Sequence, residues 1–307
     1  MKLRNSIRQG HFDSMDFGPY LLLATLEGAV QAAVLALTAL GLSLVFGVMR
    51  VVNVAHGEFF MLGAVLAWWI SSLLTGTPLF GFLAALIFAP LIVGGLAAVA
   101  DRLILKRLKY DPEATIVATI GLLYIIQQGA LTLYGPDARP VAAPFDFRVS
   151  FPWFGYSGYK ISVILTCMVM LLGVWALLTR TRIGLIMRAT QYDRETAQAF
   201  GIPVARVYTG VFAFGAMLAA VAAVLIVPTQ QAYYLMGLDP LLLSFIVVII
   251  GGLGSLKGTV LAAVVIGLSD GIITIFFDPT LAKILSTILV AMILVFRPTG
   301  LFGTATR

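Results

Sequence analysis

One short stretch of the sequence combines several groups capable of chemistry with an apolar surrounding. Arg50, Asn53, His56 and Glu58 stand within nine residues, and long apolar runs lie on both sides. A charge at the centre of a membrane-spanning helix costs about 2.5 to 3.5 kcal/mol on insertion scales, so polar groups there usually serve a function. We predict that this stretch is a broken or unwound connection between two helices.

This stretch has two interpretations. Unwound backbone at membrane depth is tolerated only where it is buried in protein or lines a water-filled path, which would make Asn53, His56 and Glu58 candidates for a translocation pathway. Alternatively, the stretch is an ordinary cytoplasmic turn in which Asn53 caps the next helix and Glu58 pairs with Arg50. The residues themselves leave both interpretations open.

Other polar residues interrupt the apolar runs further along the chain. Each could contact a solute, or could form a hydrogen bond to a neighbouring helix. They are Glu27, Gln31, Gln127, Gln128 and Asp270, and we add Gln127, Gln128 and Asp270 to the candidate pathway residues.

The sequence argues against catalysis and against bound cofactors. His56 and Glu58 lack further ligands at zinc-like spacing, since the other histidine is His11. The glycine-rich stretch 251–259 resembles a phosphate-binding loop, but Leu256 stands where a glycine must precede Lys257, so we expect a tight turn. No catalytic constellation is evident, and we predict a chain that is not an enzyme, binds no metal and hydrolyses no ATP.

The composition places these residues in a membrane protein. The chain has 307 residues, of which 60% are hydrophobic and 11% charged, whereas about a quarter are charged in soluble proteins. Continuous apolar runs predict helices rather than barrel strands, and hence an all-α transmembrane bundle forming one domain, 1–307. We predict about eight to nine spans, with candidates at 20–47, 57–75, 79–101, 114–134, 161–179, 207–228, 239–253, 258–277 and 281–296.

Basic residues predict the orientation of the bundle. The net charge is +6, but the basic residues lie in short loops between apolar runs, where they orient a membrane protein and do not indicate nucleic-acid binding. The two most basic connections, around Arg102 to Lys109 and in 180–206, should be cytoplasmic. With nine spans, the N-terminus would then lie outside.

The loop 180–206 carries more signals than a plain linker. Ile183, Ile186 and Met187 form an apolar i, i+3, i+4 face, Thr190 with Asp193 could cap a second helix, and Gly201 before Pro203 could end it. We predict two short helices at the inner face of the membrane. They could dock a cytoplasmic partner or lie on lipid headgroups.

Several stretches resemble one family, the permease subunits of branched-chain (hydrophobic) amino acid ABC importers. The resemblance covers nearly the whole chain and rests on motifs in their expected order. These are 39–47 running into 53–64, the loop 184–201 with Arg188-Ala189-Thr190, the stretch 250–255 and the ending 296–303.

The resemblance implies a fold similar to the vitamin B12 importer permease and a bacterial inner-membrane location. It implies three kinds of partner besides the bilayer: a homologous second permease, two cytoplasmic ATP-binding subunits that hold ATP and Mg²⁺, and a periplasmic solute-binding protein. The 184–201 segment would then contain the coupling helices that contact the ATPases. The residues carried over to that role are Gly184, Arg188, Asp193, Glu195 and Gly201.

The resemblance also implies alternating access driven by ATP, with branched-chain or other hydrophobic amino acids as solutes and with urea, amides or aromatic acids as further candidates. The alternative is an autonomous secondary transporter or channel. That protein would need its own coupling-ion site, for which Glu27 and Asp270 are the candidates.

Overall fold

A computed structural model describes residues 17–74 and 76–277, together with isolated positions between 280 and 292. The described chain is nearly all helical, which confirms the predicted helical bundle. The predicted span 281–296 lies largely outside the described residues. The helices are α1 (Phe17–Met49), α2 (His56–Leu73), α3 (Pro78–Ala100), α4 (Pro112–Tyr134), α5 (Gly158–Arg180), α6 (Arg182–Tyr192), α7 (Arg194–Ala199), α8 (Val204–Ile226), α9 (Leu238–Gly251) and α10 (Leu256–Phe276).

Six of the described helices are long and apolar enough to cross a membrane: α1, α3, α4, α5, α8 and α10. A π-helical turn, Asp101–Leu105, extends α3, and a 3₁₀ turn, Val227–Thr229, extends α8. The apolar helix α9 has only 14 residues. The chain is therefore a multi-pass helical membrane protein.

Four very short strands are exceptions to the all-α prediction. β1 (Arg139–Pro140) pairs with β4 (Gln231–Ala232), and β2 (Arg148–Ser150) pairs with β3 (Gly155–Ser157). They satisfy backbone hydrogen bonds in the connections beyond α4 and α8, where no helix supplies partners. Arg139 fastens this region, since its guanidinium lies 4.4 Å from the Trp68 ring centroid.

The central element is α1. Its 33 residues are apolar around the whole circumference, and 94% of its most apolar stretch is buried. A helix that is apolar on all sides is stable only when other helices surround it. α1 packs against α5, α8, α9 and α10.

Small residues bring α1 and α10 close together in opposite directions. A methyl group on Gly271 would lie 2.2 Å from Gly28 Cα near one end of α1, and one on Gly47 would lie 3.2 Å from Gly254 Cα near the other. Such close approach is a common way to pack helices in lipid, where apolar burial alone does not hold them together. It also places the start of α1 and the 252–255 turn on opposite faces of the bundle.

Helix α2 begins inside the bundle rather than at its surface. The His56 ring lies within hydrogen-bond distance, 3.0 Å, of the Thr38 carbonyl oxygen. Thr38 is eleven residues before Met49, the end of α1, which corresponds to about 16 Å along the helix. The segment 50–55 therefore runs back along α1 to reach the level at which α2 starts.

Helix α9 begins at the same depth. The backbones of Gly57 and Gly237 are in direct contact, so that a methyl group on Gly57 would lie 2.3 Å from the Gly237 oxygen, and one on Gly237 would lie 2.1 Å from the Gly57 oxygen. α2 runs from this point towards one face of the bundle, and α9 runs towards the other. The amino-terminal ends of two short helices thus meet in the interior.

These contacts divide most of the bundle into two units of opposite direction. In the first unit, α1 is followed by the segment 50–55, which re-enters the bundle, then by the short α2 and by α3. In the second unit, α8 is followed by the segment 227–237, then by the short α9 and by α10. Each unit wraps the other, since α3 packs along α8 and α10 packs along α1, while α1 crosses α8 at Gly41 and Gly215. This is the arrangement of inverted repeats in transporters, whose solute sites lie where broken helices meet.

Candidate translocation site and the loop 180–206

The structure brings four of the predicted pathway residues together at the start of α2. Asn53, His56, Glu58 and Gln127 are buried, with at most 7% of each side chain exposed. The Gln127 amide on α4 donates a long hydrogen bond, 3.5 Å, to Glu58 Oε1. Asn53 Oδ1 accepts from the Ala55 amide and shapes the turn before the helix.

The cytoplasmic-turn interpretation is wrong in both of its predicted contacts. Residue Ala55 precedes α2 at the N-cap position, and no side chain caps it. Among the described residues, Glu58 forms no ion pair with Arg50, which is exposed and has φ 57°. The stretch enters the bundle because its polar groups find partners on α1 and α4, which a short surface turn would not offer.

Two atoms of this cluster are buried without a hydrogen-bond partner within the described part of the chain, namely His56 Nδ1 and Glu58 Oε2. Buried polar atoms are almost always paired, because an unpaired one costs about 1 to 3 kcal/mol. The cluster therefore contains polar groups beyond those that packing alone would require.

A cavity of about 190 Å³ lies beside the cluster, between α1, α10 and the start of α9. Thr38 links the two, since its side chain lines the cavity and its carbonyl oxygen contacts His56. Asp270, which is half-buried, and the exposed Asp239 in the first turn of α9 bring carboxyl groups to the cavity. The polar lining residues are Gln31, Thr38, Gln230, Tyr233, Asp239 and Asp270.

Three candidates lie apart from the buried cluster. Gln128 is exposed, although its neighbour Gln127 is buried. Asp270 lies at the cavity and not among the four clustered residues. Glu27 forms an ion pair with Lys160 at 2.6 Å, so a cation already neutralises this candidate ion-coupling group.

The loop 180–206 forms two short helices, α6 and α7, as predicted. Thr181 caps α6 by accepting from the Gly184 amide. Asp193, and not Thr190, caps α7: it accepts from the amides of Glu195 and Thr196. Thr190 lies inside α6, where its hydroxyl group donates to the Ile186 carbonyl oxygen. The prediction that Thr190 caps the second helix is therefore wrong.

Hydrogen bonds also set the charge of the Asp193 cap. The hydroxyl group of Thr196 and the two backbone amides lower the pKa of Asp193 below its ordinary value. The shift favours the ionised carboxylate, which suits a group at a helix N-terminus. Gly201, with φ 82°, follows the end of α7 in the left-handed conformation that glycine favours.

The loop presents charged and apolar groups to its surroundings. Arg188 and Glu195 are exposed. Within the predicted apolar face, Met187 is 6% exposed and Ile183 is 61% exposed. Tyr192 and Phe200, which were not among the predicted functional residues, are 90% and 83% exposed. The sequence signal that could have identified them is a pair of large aromatic residues on either side of a charged helix.

The chain matches a known protein family over most of its length. A family described as "Branched-chain amino acid transport system / permease component" matches residues 24–296. The chain belongs to this family. The match confirms the resemblance drawn from the sequence and identifies the chain as a transport permease.

Relatives of this permease cover nearly all of its length. It is 25% identical to the high-affinity branched-chain amino acid transport system permease protein BraD of Pseudomonas aeruginosa over 303 residues, which is 92% of this chain and 96% of that protein. It is 26% identical to LivH of Escherichia coli K12 over 308 residues, with the same coverage. It is 27% identical over 302 residues to a probable LivH of Methanocaldococcus jannaschii, 94% of each chain. No solved structure matches the permease.

Proposed function

We propose that this permease is the membrane-spanning subunit of a bacterial ABC importer that moves branched-chain or other hydrophobic amino acids across the inner membrane. The observation that carries the proposal is the exposed helical pair α6–α7. A permease that works alone has no need of a capped, charged helix pair with exposed aromatic groups at one face, whereas a subunit driven by a soluble ATPase requires such a surface.

The proposed pathway follows the cavity to the contact between α2 and α9. Helix amino-terminal ends carry partial positive charge and favour a carboxylate, and the carboxyl groups of Asp239 and Asp270 favour an ammonium group. An amino acid carries both charges. The names of the relatives, which specify branched-chain amino acids, support this solute class.

The proposed assembly contains a homologous second permease, two ATP-binding subunits that hold ATP and Mg²⁺, and a periplasmic solute-binding protein. This chain itself would be non-catalytic and would bind no cofactor. We further propose eight to nine membrane crossings and a fold of the vitamin B12 importer permease type. Counting α2 and α9 with their re-entrant segments as one crossing each supports that number.

The assembly is tested by purifying the tagged full-length chain from its host in mild detergent and identifying what accompanies it by mass spectrometry. We expect two ATPase polypeptide copies and a homologous permease. Recovery of the chain alone, active in ion-driven uptake, would instead support the secondary transporter. The Lys160 partner of Glu27 argues against that alternative.

The coupling role of the loop is tested by the double variant R188A/E195A. Both side chains are exposed, so we expect normal assembly, together with loss of most ATP-driven leucine uptake while the basal ATPase activity remains. A matched control is R107A/E113A, which removes the same charges from the connection between α3 and α4 and from the first turn of α4. Normal uptake by R188A/E195A would refute the coupling role.

A further inference from the structure

A second groove lies between α3 and α8, apart from the polar cluster and next to the end of the loop 180–206. It encloses about 490 Å³. One wall presents Ala98 from α3, Arg102 from its π-helical extension and Lys106 directly after that extension, spaced four residues apart. The other wall presents Arg206, Gly210 and Ala213 from the first half of α8.

The groove changes character along its length. Between Ala98, Gly210 and Ala213 it is lined by small residues and forms an apolar slot in which Gly210 is exposed. Its mouth carries the basic side chains of Arg102, Lys106 and Arg206, all exposed. Within the described part of the chain, none of these three lies within 4.0 Å of a carboxylate oxygen.

An acidic residue close to the groove, Asp101, is held by a buried hydrogen bond. Asp101 is fully buried, and its carboxylate accepts a hydrogen bond of 2.5 Å from Thr209, which also lines the groove. Its side chain is therefore not exposed at the mouth, and its single negative charge, which interacts with Arg102 and Lys106, is outnumbered by the three basic groups. The mouth remains cationic while the slot remains apolar.

We propose that this groove binds an anionic phospholipid of the cytoplasmic leaflet, with the headgroup phosphate at Arg102, Lys106 and Arg206 and an acyl chain in the slot. Basic pockets between transmembrane helices on the cytoplasmic side are suited to such headgroups. The charge of the mouth selects an anion, and the apolar lining of the slot between two membrane-spanning helices selects a molecule with a hydrocarbon chain. The lipid would link α3 of one inverted unit to α8 of the other.

The experiment uses the full-length chain purified with its accompanying subunits, titrated with phosphatidylglycerol or with phosphatidylcholine of the same acyl chains. Native mass spectrometry measures the bound lipid. We expect preferential binding of phosphatidylglycerol, reduced about tenfold or more in R102Q/K106Q, because each basic group near an anionic headgroup contributes to the attraction. The matched control R107Q/K109Q removes the same two charges from the same connection but outside the groove, and should bind as the wild type does.

The slot is tested separately by Gly210→Leu, which fills it without a change of charge. A side chain at Gly210 meets open space in the protein, as does one at Gly95 on the exposed face of α3, so Gly95→Leu is the control. We expect G210L to weaken lipid binding and G95L not to do so.

An equal loss of lipid binding in R102Q/K106Q and R107Q/K109Q would show diffuse attraction and overturn the site. Unchanged lipid binding in G210L would overturn it as well. Release of the ATPase subunits by R102Q/K106Q with lipid binding intact would reassign the surface to a protein partner.

Discussion

At the scale of single residues, the buried polar side chains at the start of α2 indicate a functional site rather than simple helix packing. Glu58 has one oxygen held by a long hydrogen bond from Gln127, and the other has no partner among the residues described. A carboxyl group in this position weakens the fold unless it is protonated or bound. Its presence fits a group that serves transport.

Glu58→Gln tests this interpretation, because it keeps the shape of the side chain and removes its charge. We expect the midpoint of thermal unfolding to stay or rise, since a neutral amide is less costly to bury. ATP-driven leucine uptake into proteoliposomes should fall about tenfold, the factor expected when one hydrogen bond to a charged group, about 1.5 kcal/mol, is lost.

Gln128→Leu is the control for that experiment, because Gln128 is exposed and lies outside the buried cluster. It should leave uptake unchanged if the cluster, rather than α4 in general, serves the pathway. Wild-type uptake in Glu58→Gln would mean that the cluster is only a packed junction between α1, α2 and α4.

The sequence predicted that this stretch is polar and broken but not which residues meet. Gln127 and Gln128 are adjacent, and only the rotation of α4 against α2 decides which one is buried. That rotation depends on packing between segments nearly 70 residues apart, so no local pattern contains it.

At the scale of elements, α5 and α6 meet in a tight elbow that holds the loop 180–206. Gly184 is buried in the first turn of α6, and a methyl group there would lie 2.2 Å from the Leu178 carbonyl oxygen. No other residue fits this contact without moving one helix. The angle between α5 and α6 thus depends on a single glycine.

Gly184→Ala should therefore tilt α6 away from α5 and impair coupling more than folding. We expect leucine uptake per ATP hydrolysed to fall severalfold, while the amount of protein in the membrane changes little, because α5 still spans it; overpacking of this kind costs about 1 to 3 kcal/mol. Paired assays of uptake and hydrolysis in proteoliposomes measure the ratio.

Gly173→Ala provides the control, since a methyl group at that position of α5 meets open space. An unchanged ratio in Gly184→Ala would show that the elbow angle is not transmitted to transport.

The two loop helices themselves were predictable from apolar spacing and turn residues. The predicted cap was three residues too early, because a threonine hydroxyl group can also bond the backbone of its own helix.

At the scale of the whole molecule, the fold is two units of opposite direction that meet at the tips of α2 and α9. The long apolar runs made the spanning helices predictable from the sequence. The meeting point was not predictable, because Gly57 and Gly237 lie 180 residues apart and neither stands in a motif that names the other. Local patterns define helices, whereas contacts between distant backbones define this junction.

The junction requires two glycines for steric reasons. Neither Gly57 nor Gly237 has a positive φ, so alanine is compatible with both backbones and any cost arises from the contact itself. A methyl group on either would overlap the carbonyl oxygen of the other, at 2.3 and 2.1 Å. Each substitution should separate the two helix ends.

We expect Gly57→Ala and Gly237→Ala each to destabilise the purified permease by about 1 to 3 kcal/mol and to lower uptake, because the overlap forces backbones apart. The double variant should cost less than the sum of the two, since the first methyl group already opens the contact that the second would enter. Gly121→Ala and Gly129→Ala on α4, where a methyl group meets open space, supply the baseline for adding alanine to a helix. Thermal unfolding of the four single variants and the double variant measures the coupling. Strictly additive losses of stability at Gly57 and Gly237 would show that the two helix ends do not share one contact. The junction could not then join the two units.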